Sequence, residues 1–158
     1  MLRLWIGAVA LWAAASGATQ AAGVMELHGE GVQIYRCVDN KAGGVAWTLV
    51  GPDAKLTDAG GKVVGHHFAG PTWQDADGSA VVGKAVSAGT APGAPAVPWL
   101  VLQAVSHSGA GVFADVGYVV RSHTVGGVAP ATGCGSSGDA GHEARVPYSA
   151  AYTFFGTK

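Results

Sequence analysis

Apolar and polar residues alternate with a period of two along most of the chain beyond residue 22, and clusters of glycine, proline and aspartate separate the alternating runs. Successive side chains of a strand point to opposite faces, so this period predicts β-strands. No convincing apolar stripe with the 3.6-residue period of a helix is present beyond that point. The pattern therefore predicts an all-β chain.

A hairpin pattern predicts the first two strands. The run GVQIYRCV, residues 31–38, alternates aliphatic residues with polar or aromatic ones, and the turn-forming DNKAGG follows it. The run VAWTLV, residues 45–50, returns as the second strand. After it, GPDAKLTDAGG at residues 51–61 predicts a loop with a short strand edge at Leu56.

The same alternation predicts the remaining strands. They are expected at KVVGHHF (62–68), on both sides of an Asp77-Gly78 turn within residues 72–86, and at residues 99–107, 112–121 and 148–155. The pair WLVLQAVSH and VFADVGYVVR, joined by SGAG, is the clearest hairpin in the chain.

About eight or nine short strands joined by hairpins predict an antiparallel β-sandwich or barrel with long loops. One loop is the proline-rich segment at residues 87–98, and the other is the glycine-rich and serine-rich segment at residues 122–147. Loops as long as the second are usually functional or flexible. Residues 22–158 are predicted to form a single all-β domain.

The N-terminal residues have the three parts of a secretory signal peptide. A basic MLR start precedes the apolar run LWIGAVALWAAA, residues 4–15, and the small-residue segment SGATQAAG follows. The apolar run is shorter than the roughly 20 residues of a transmembrane helix. Residues 1–21 are therefore predicted to be a signal peptide, cleaved after Ala18 or Ala21, and the protein is predicted to be periplasmic or extracellular.

The charge composition argues against a nucleic-acid partner. Nine basic and ten acidic residues give a formal net charge of −1, and there is no basic cluster. No second apolar run approaches the length of a membrane span, so the processed protein is predicted not to span a membrane. The partners that remain are a small molecule or an envelope or wall component, and the protein is predicted to be a monomer or a weak oligomer.

Two cysteines, Cys37 and Cys134, lie beyond the signal peptide. An even pair in an exported protein favours a disulfide over two separate buried thiols. The bridge would attach the long glycine-rich loop to the first strand.

The densest group of candidate functional side chains is HHFAGPTW, residues 66–73. His66 and His67 are neighbours on a predicted strand, so they point to opposite faces and cannot both bind one metal ion without a bulge. Either histidine is most often a hydrogen-bonded structural residue. The alternative is a transition-metal site formed by His66 or His67 with His123, and no other cofactor is predicted.

A second polar group lies on the strand predicted at residues 112–121. Asp115, Arg121 and, just beyond it, His123 are predicted to share one face of this strand. That face either lines a cavity for an anionic or hydroxylated ligand or is the solvated face of a sheet. Trp73 and Trp99 stand near prolines at strand ends, where each either forms part of an aromatic platform or adds mass to the core.

No catalytic motif is present. GCGSSGD is not a G-x-S-x-G elbow, HEARV is not HExxH, and no phosphate-binding glycine motif leads from a strand into a helix. DADGS at residues 75–79 predicts a turn, because Val86 stands where a calcium-binding EF-hand needs its glutamate. The motifs therefore leave open whether the protein is an enzyme.

Seven segments, taken in order, resemble a known family: GVQIYRC, AWTLVGPDAKL, GKVVGHHFAGPTW, DGSAVVG, PWLVLQAV, TVGGVAPATGC and VPYSAAYTFF. The chain resembles the secreted bacterial and fungal proteins grouped as domain of unknown function three-four-five-five. The resemblance extends from about Gly31 to Phe155 and implies that both cysteine segments are family landmarks. It implies no activity, cofactor or catalytic residue.

The favoured hypothesis is an exported binding module for a small molecule or an envelope or wall component. Its ligand contacts are expected from aromatic, histidine and arginine side chains: His66 or His67, Trp73, Trp99, Arg121 and His123. The first alternative is a metal-assisted or acid-base hydrolase that uses one of the histidines with Asp75 or Asp115. The second is a structural envelope protein without a pocket.

Overall fold

The described part of the chain, residues 23–40 and 42–156 of a computed structural model, contains eight strands and one short 3-10 helix, Ser137–Asp139, between the last two strands. In order the strands are β1 (Val24–Asn40), β2 (Gly44–Thr57), β3 (Val63–Phe68), β4 (Thr72–Asp75), β5 (Ala80–Gly89), β6 (Trp99–Ser108), β7 (Val116–Gly126) and β8 (Glu143–Gly156). The predicted signal peptide and both of its cleavage sites lie outside the described residues. Within them, no helix is long and apolar enough to cross a membrane.

Each strand pairs antiparallel with the next, and β8 pairs with β1, so the sheet closes into a barrel. The all-β antiparallel prediction is confirmed, and of its two architectures the chain adopts the barrel. The β1–β2, β3–β4, β5–β6 and β7–β8 connections lie at one end of the barrel, which we call the open end. The other three connections lie at the opposite end, the closed end, together with residues 23 and 156.

Large apolar side chains fill the half of the barrel near the closed end. They are Leu27, Leu56, Val81, Phe113, Val116, Val119 and Phe154. Burying a side chain of this size stabilises the fold by roughly 1.5–3 kcal/mol. Apolar packing therefore fills the barrel interior at this end.

The prediction of a loop at residues 51–61 is wrong for residues 51–57, because β2 continues to Thr57. Gly51 has a φ of 151° and lies at a register shift against β1, which lets the strand continue past Pro52. Beyond the bulge, Ala54 and Leu56 face the core in regular alternation. Only residues 58–62 connect β2 to β3.

The predicted strand at residues 112–121 is displaced, because β7 begins at Val116. A turn precedes it, in which the backbone N–H of Val112 donates to the Asp77 carboxylate at 2.9 Å. Phe113 was predicted to lie in a strand. It lies in this turn instead, and its fully buried side chain packs into the core at the closed end.

The prediction that Asp115, Arg121 and His123 share one face of a strand is also wrong. A register shift between Val116 and Tyr118 turns Tyr118 outward. Arg121 consequently lines the interior. A second shift between Ser122 and Val125 leaves His123 exposed, with a φ of 49°. Bulges of this kind change which face each following side chain occupies.

The predicted disulfide is confirmed: Cys37 and Cys134 are bonded, with their Cα atoms 5.5 Å apart. The loop that it holds is shorter than predicted, residues 127–142, because β7 and β8 extend into the segment at residues 122–147. The indole N–H of Trp47 also donates to the Thr132 carbonyl at 3.2 Å. The loop is thus attached to both strands of the first hairpin at the open end.

Candidate ligand-binding cavity

A cavity of about 510 Å³ occupies the half of the barrel near the open end. All eight strands and two of the connections contribute to its lining: Gln33, Tyr35, Leu49, Val50, Gly51, Pro52, His67, Gly70, Pro71, Trp73, Ala85, Val97, Pro98, Leu100, Leu102, Arg121 and Tyr152. Eight-stranded barrels are wide enough to hold one small ligand. The volume lies within the range of small-molecule sites.

Aromatic rings form the floor of the cavity. His67 and Trp73 stack with their ring centroids 4.4 Å apart and their planes 7° apart. The Tyr152 ring meets both edge-on, at 4.9 Å from His67 and 5.6 Å from Trp73. Two inward-facing glycines make room for these rings, since a Cβ at Gly29 would lie 2.6 Å from the Tyr152 ring and one at Gly83 would lie 3.0 Å from Trp73.

The two adjacent histidines point to opposite faces, as the strand period predicts. His66 is exposed, whereas His67 is 2% exposed and faces the cavity. The Nδ1 atom of His67 lies 2.8 Å from the Thr72 carbonyl oxygen. Because a carbonyl only accepts, Nδ1 carries the proton and Nε2 keeps a lone pair. Burial lowers the pKa of His67 to about 3, so its ring is neutral at physiological pH.

Two buried polar side chains of the lining have atoms without a hydrogen-bond partner among the described residues. Gln33 is 1% exposed, and neither its amide nitrogen nor its amide oxygen is bonded. The indole N–H of Trp73 is also unbonded. A buried polar group without a partner costs roughly 1–3 kcal/mol, which makes these atoms candidate ligand contacts.

Arg121 projects into the lining from β7. Its Nε and Nη2 atoms donate to the Pro98 carbonyl, at 3.0 and 2.8 Å. Arg121 thereby holds the segment before β6 against the mouth of the cavity, aided by Thr124, whose hydroxyl donates to the Val97 carbonyl at 2.7 Å. No aspartate, glutamate or lysine in the described part of the chain joins Arg121 in the lining.

Tyrosine hydroxyl groups surround the same space and stay protonated. The Tyr35 hydroxyl donates to the Gly127 carbonyl at 2.6 Å, and the hydroxyls of Tyr148 and Tyr152 lie 3.2 Å apart. Burial raises the pKa of each of these three tyrosines. They are therefore neutral groups at physiological pH.

Of the predicted ligand contacts, the structure brings His67, Trp73 and Arg121 together in the cavity. Trp99 and His123 lie outside it, with ring centroids 5.4 Å apart. Trp99 lines a smaller groove of about 150 Å³, and Arg121 contributes to that groove as well. The indole N–H of Trp99 has no partner within residues 23–40 and 42–156.

Of the residues predicted for metal binding or hydrolysis, only His67 lines the cavity. His67 faces the cavity whereas His123 is exposed, and the described residues contain no group of three side chains suited to a metal ion. Asp75 and Asp115 contribute nothing to the lining of the cavity.

Sequence reasoning missed Gln33, Tyr35 and Tyr152 as cavity residues. The first two share a face of β1 with Cys37, and that whole face is buried. Cys37 was the sequence signal that could have indicated their inward orientation. Its predicted disulfide favours a buried position for the face of β1 on which Cys37 lies.

The comparisons with known proteins give a family and no activity. The model of a family described as "Protein of unknown function (DUF3455)" matches residues 17–156. No curated protein and no solved structure matches the chain.

Proposed function

The chain belongs to the DUF3455 family of proteins of unknown function, and we propose that its barrel is a binding module for one small, largely apolar molecule. The observation that carries the proposal is the pairing of a cavity of about 510 Å³ with the buried, unbonded amide of Gln33 in its wall. A ligand that fills the cavity would supply the missing partner.

The lining supports a mainly apolar ligand. Leu49 and Val50 stand exposed at the mouth, and Leu100 and Leu102 line the wall. Apolar walls with a few polar groups are typical of small-molecule sites, because burial provides affinity and the polar atoms fix orientation. A cavity inside a barrel suits a small molecule better than an envelope or wall polymer.

The hydrolase alternative has less support. Neither Asp75 nor Asp115 lines the cavity with His67, so this histidine has no carboxylate to orient it there. Burial also holds the pKa of His67 at about 3, far from the range of an efficient acid-base catalyst at neutral pH.

Export to the periplasm or outside the cell is part of the proposal. The disulfide between Cys37 and Cys134 supports it, because such bonds persist in oxidising compartments. The signal-peptide pattern of residues 1–21 supports it independently.

Titration with N-phenyl-1-naphthylamine, a neutral apolar dye that fluoresces in apolar surroundings, tests the binding function. The protein should bind the dye saturably. The variant Ala85→Phe places a ring in the cavity lining and should weaken binding by about tenfold, roughly 1.4 kcal/mol.

The matched control is Ala46→Phe, at an exposed position of β2 that does not line the cavity. It should leave dye affinity unchanged. Equal affinity in the two variants, or no saturable binding by the unsubstituted protein, would reject the proposed function.

A further inference from the structure

We propose that the ligand of this cavity is an organic acid whose anionic group pairs with Arg121, while its hydrocarbon or ring body fills the apolar part of the lining. The inference rests on the proposed binding function and names the chemical class of the ligand.

Arg121 supplies the one full charge in the lining within the described part of the chain. The other polar lining groups are the amide of Gln33, the neutral imidazole of His67 and the protonated hydroxyls of Tyr35 and Tyr152. The cavity therefore has a net positive charge, which favours an anion over a cation or a neutral molecule.

Nothing in the described protein neutralises this charge at close range. The guanidinium bonds to uncharged groups, the Pro98 carbonyl and the Tyr152 hydroxyl, and no ion pair within 4.0 Å among the described residues includes it. Asp53 is near enough to influence Tyr148, but its carboxylate already pairs with Arg145. A partly buried cation without a counter-charge gains most from a ligand that provides one.

The charge of Arg121 extends over the polar part of the cavity. It lowers the pKa of His67 in the same direction as burial does, and it lowers the pKa values of Tyr35, Tyr148 and Tyr152 against the larger, opposite effect of burial. These groups come from β1, β3 and β8, so the guanidinium acts on several walls at once. An anion bound among these groups would be attracted by the positive charge of Arg121.

Further donors without a partner belong to residues that line the same cavity. The indole N–H of Trp73 and the amide nitrogen of Gln33 have no partner in the described residues, and Arg121 has N–H groups beyond those bonded to Pro98. A carboxylate accepts several hydrogen bonds and pairs with a guanidinium in a planar, bidentate geometry. An alcohol of the same length satisfies fewer of these donors.

Competition between the fluorescent dye and two molecules of equal chain length tests the inference. Decanoate and 1-decanol differ in the head group and share the hydrocarbon body. Decanoate should displace the dye at a concentration lower than that of 1-decanol by about tenfold or more, roughly 1.4 kcal/mol per factor of ten.

Three variants locate the effect. Arg121→Gln should abolish the preference for decanoate while leaving the affinity for 1-decanol nearly unchanged, and Arg121→Lys should retain most of the preference because it keeps the charge. Arg36→Gln is the control, since Arg36 is exposed on β1, pairs with Glu143 and does not line the cavity. It should behave as the unsubstituted protein.

The outcomes separate the two proposals. Equal displacement by the acid and the alcohol would overturn the anion inference and keep the binding function. Equal weakening of both molecules by Arg121→Gln would also overturn it, because Arg121 would then act only by holding the Pro98 segment. Absence of saturable dye binding would reject the binding function itself.

Discussion

The state of His67 follows from its immediate neighbours. The Thr72 carbonyl fixes the proton on Nδ1, the Trp73 ring covers one face of the imidazole, and burial depresses its pKa to about 3. The ring therefore offers an uncharged acceptor at Nε2. This is useful for orienting a ligand and poorly suited to transferring a proton at neutral pH.

His67 should make folding stability depend on pH. In the unfolded chain it titrates near 6.5, whereas its pKa in the folded protein is about 3. Between these values the unfolded state binds the extra proton, so the free energy of unfolding falls as the pH falls, by up to about 1.4 kcal/mol per pH unit. Urea unfolding at pH 7 and pH 4.5 measures the effect.

The variant His67→Gln removes this titration and should show a smaller loss of stability between the two pH values. His66→Gln, at the exposed neighbouring position, should keep the loss seen in the unsubstituted protein. If all three proteins lose the same stability on acidification, burial of His67 is not responsible.

At this scale the sequence predicts the separation of His66 and His67 but not which of them faces inward. A period of two fixes opposite faces, and the flanking residues on each side are similar in polarity. The polarity of Gln33 itself points the wrong way, since a polar residue on an alternating strand normally indicates the solvated face. Gln33 is inward because that face of β1 also carries Tyr35 and Cys37.

Among the elements, β7 departs most from its sequence pattern. Its first bulge turns Tyr118 outward and brings Arg121 to the cavity, and its second leaves His123 exposed. Period-two reasoning assumes an unbroken register, so one extra residue reverses every later assignment. The bounds of β3 and β6 were predicted nearly to the residue although each strand has a register shift against the strand before it, because glycine and proline residues mark the ends of both.

The close contact between β1 and the cavity floor gives a prediction for Gly29. The variant Gly29→Ala puts a methyl group 2.6 Å from the buried Tyr152 ring and should lower the free energy of unfolding by about 1–3 kcal/mol. Gly89→Ala, in β5, meets no atom within 4 Å and should change it by less than about 0.5 kcal/mol. Chemical denaturation compares the two, and equal stabilities would show that the Tyr152 ring moves aside without cost.

For the whole molecule, alternation and turn residues predict an all-β antiparallel fold but not the closure of the sheet. A sandwich and a barrel present the same alternating pattern along each strand, and the difference lies in whether β1 pairs with β8. The presence of the cavity cannot be predicted from the alternating pattern for a related reason. Its lining residues come from all eight strands, so no single segment of the sequence reveals it.

The disulfide should contribute strongly to overall stability. It joins residues 97 positions apart, and the chain-entropy model gives about 4–5 kcal/mol for a loop of that length. The double variant Cys37→Ala/Cys134→Ala should lose a few kcal/mol in urea unfolding. Reduction of the unsubstituted protein should give the same midpoint as the variant, and an unchanged midpoint in both would contradict the prediction.

The meeting of residues 23 and 156 at the closed end has a practical consequence. The backbone N–H of Gly156 donates to the carbonyl of Gly23 at 2.9 Å, at the end of the barrel opposite the cavity mouth. A linkage to a solid support through residues next to either position leaves the mouth facing the solution. A short peptide can also join the two positions in a circular permutant. Its new ends would then lie in an open-end connection, beside the mouth of the cavity.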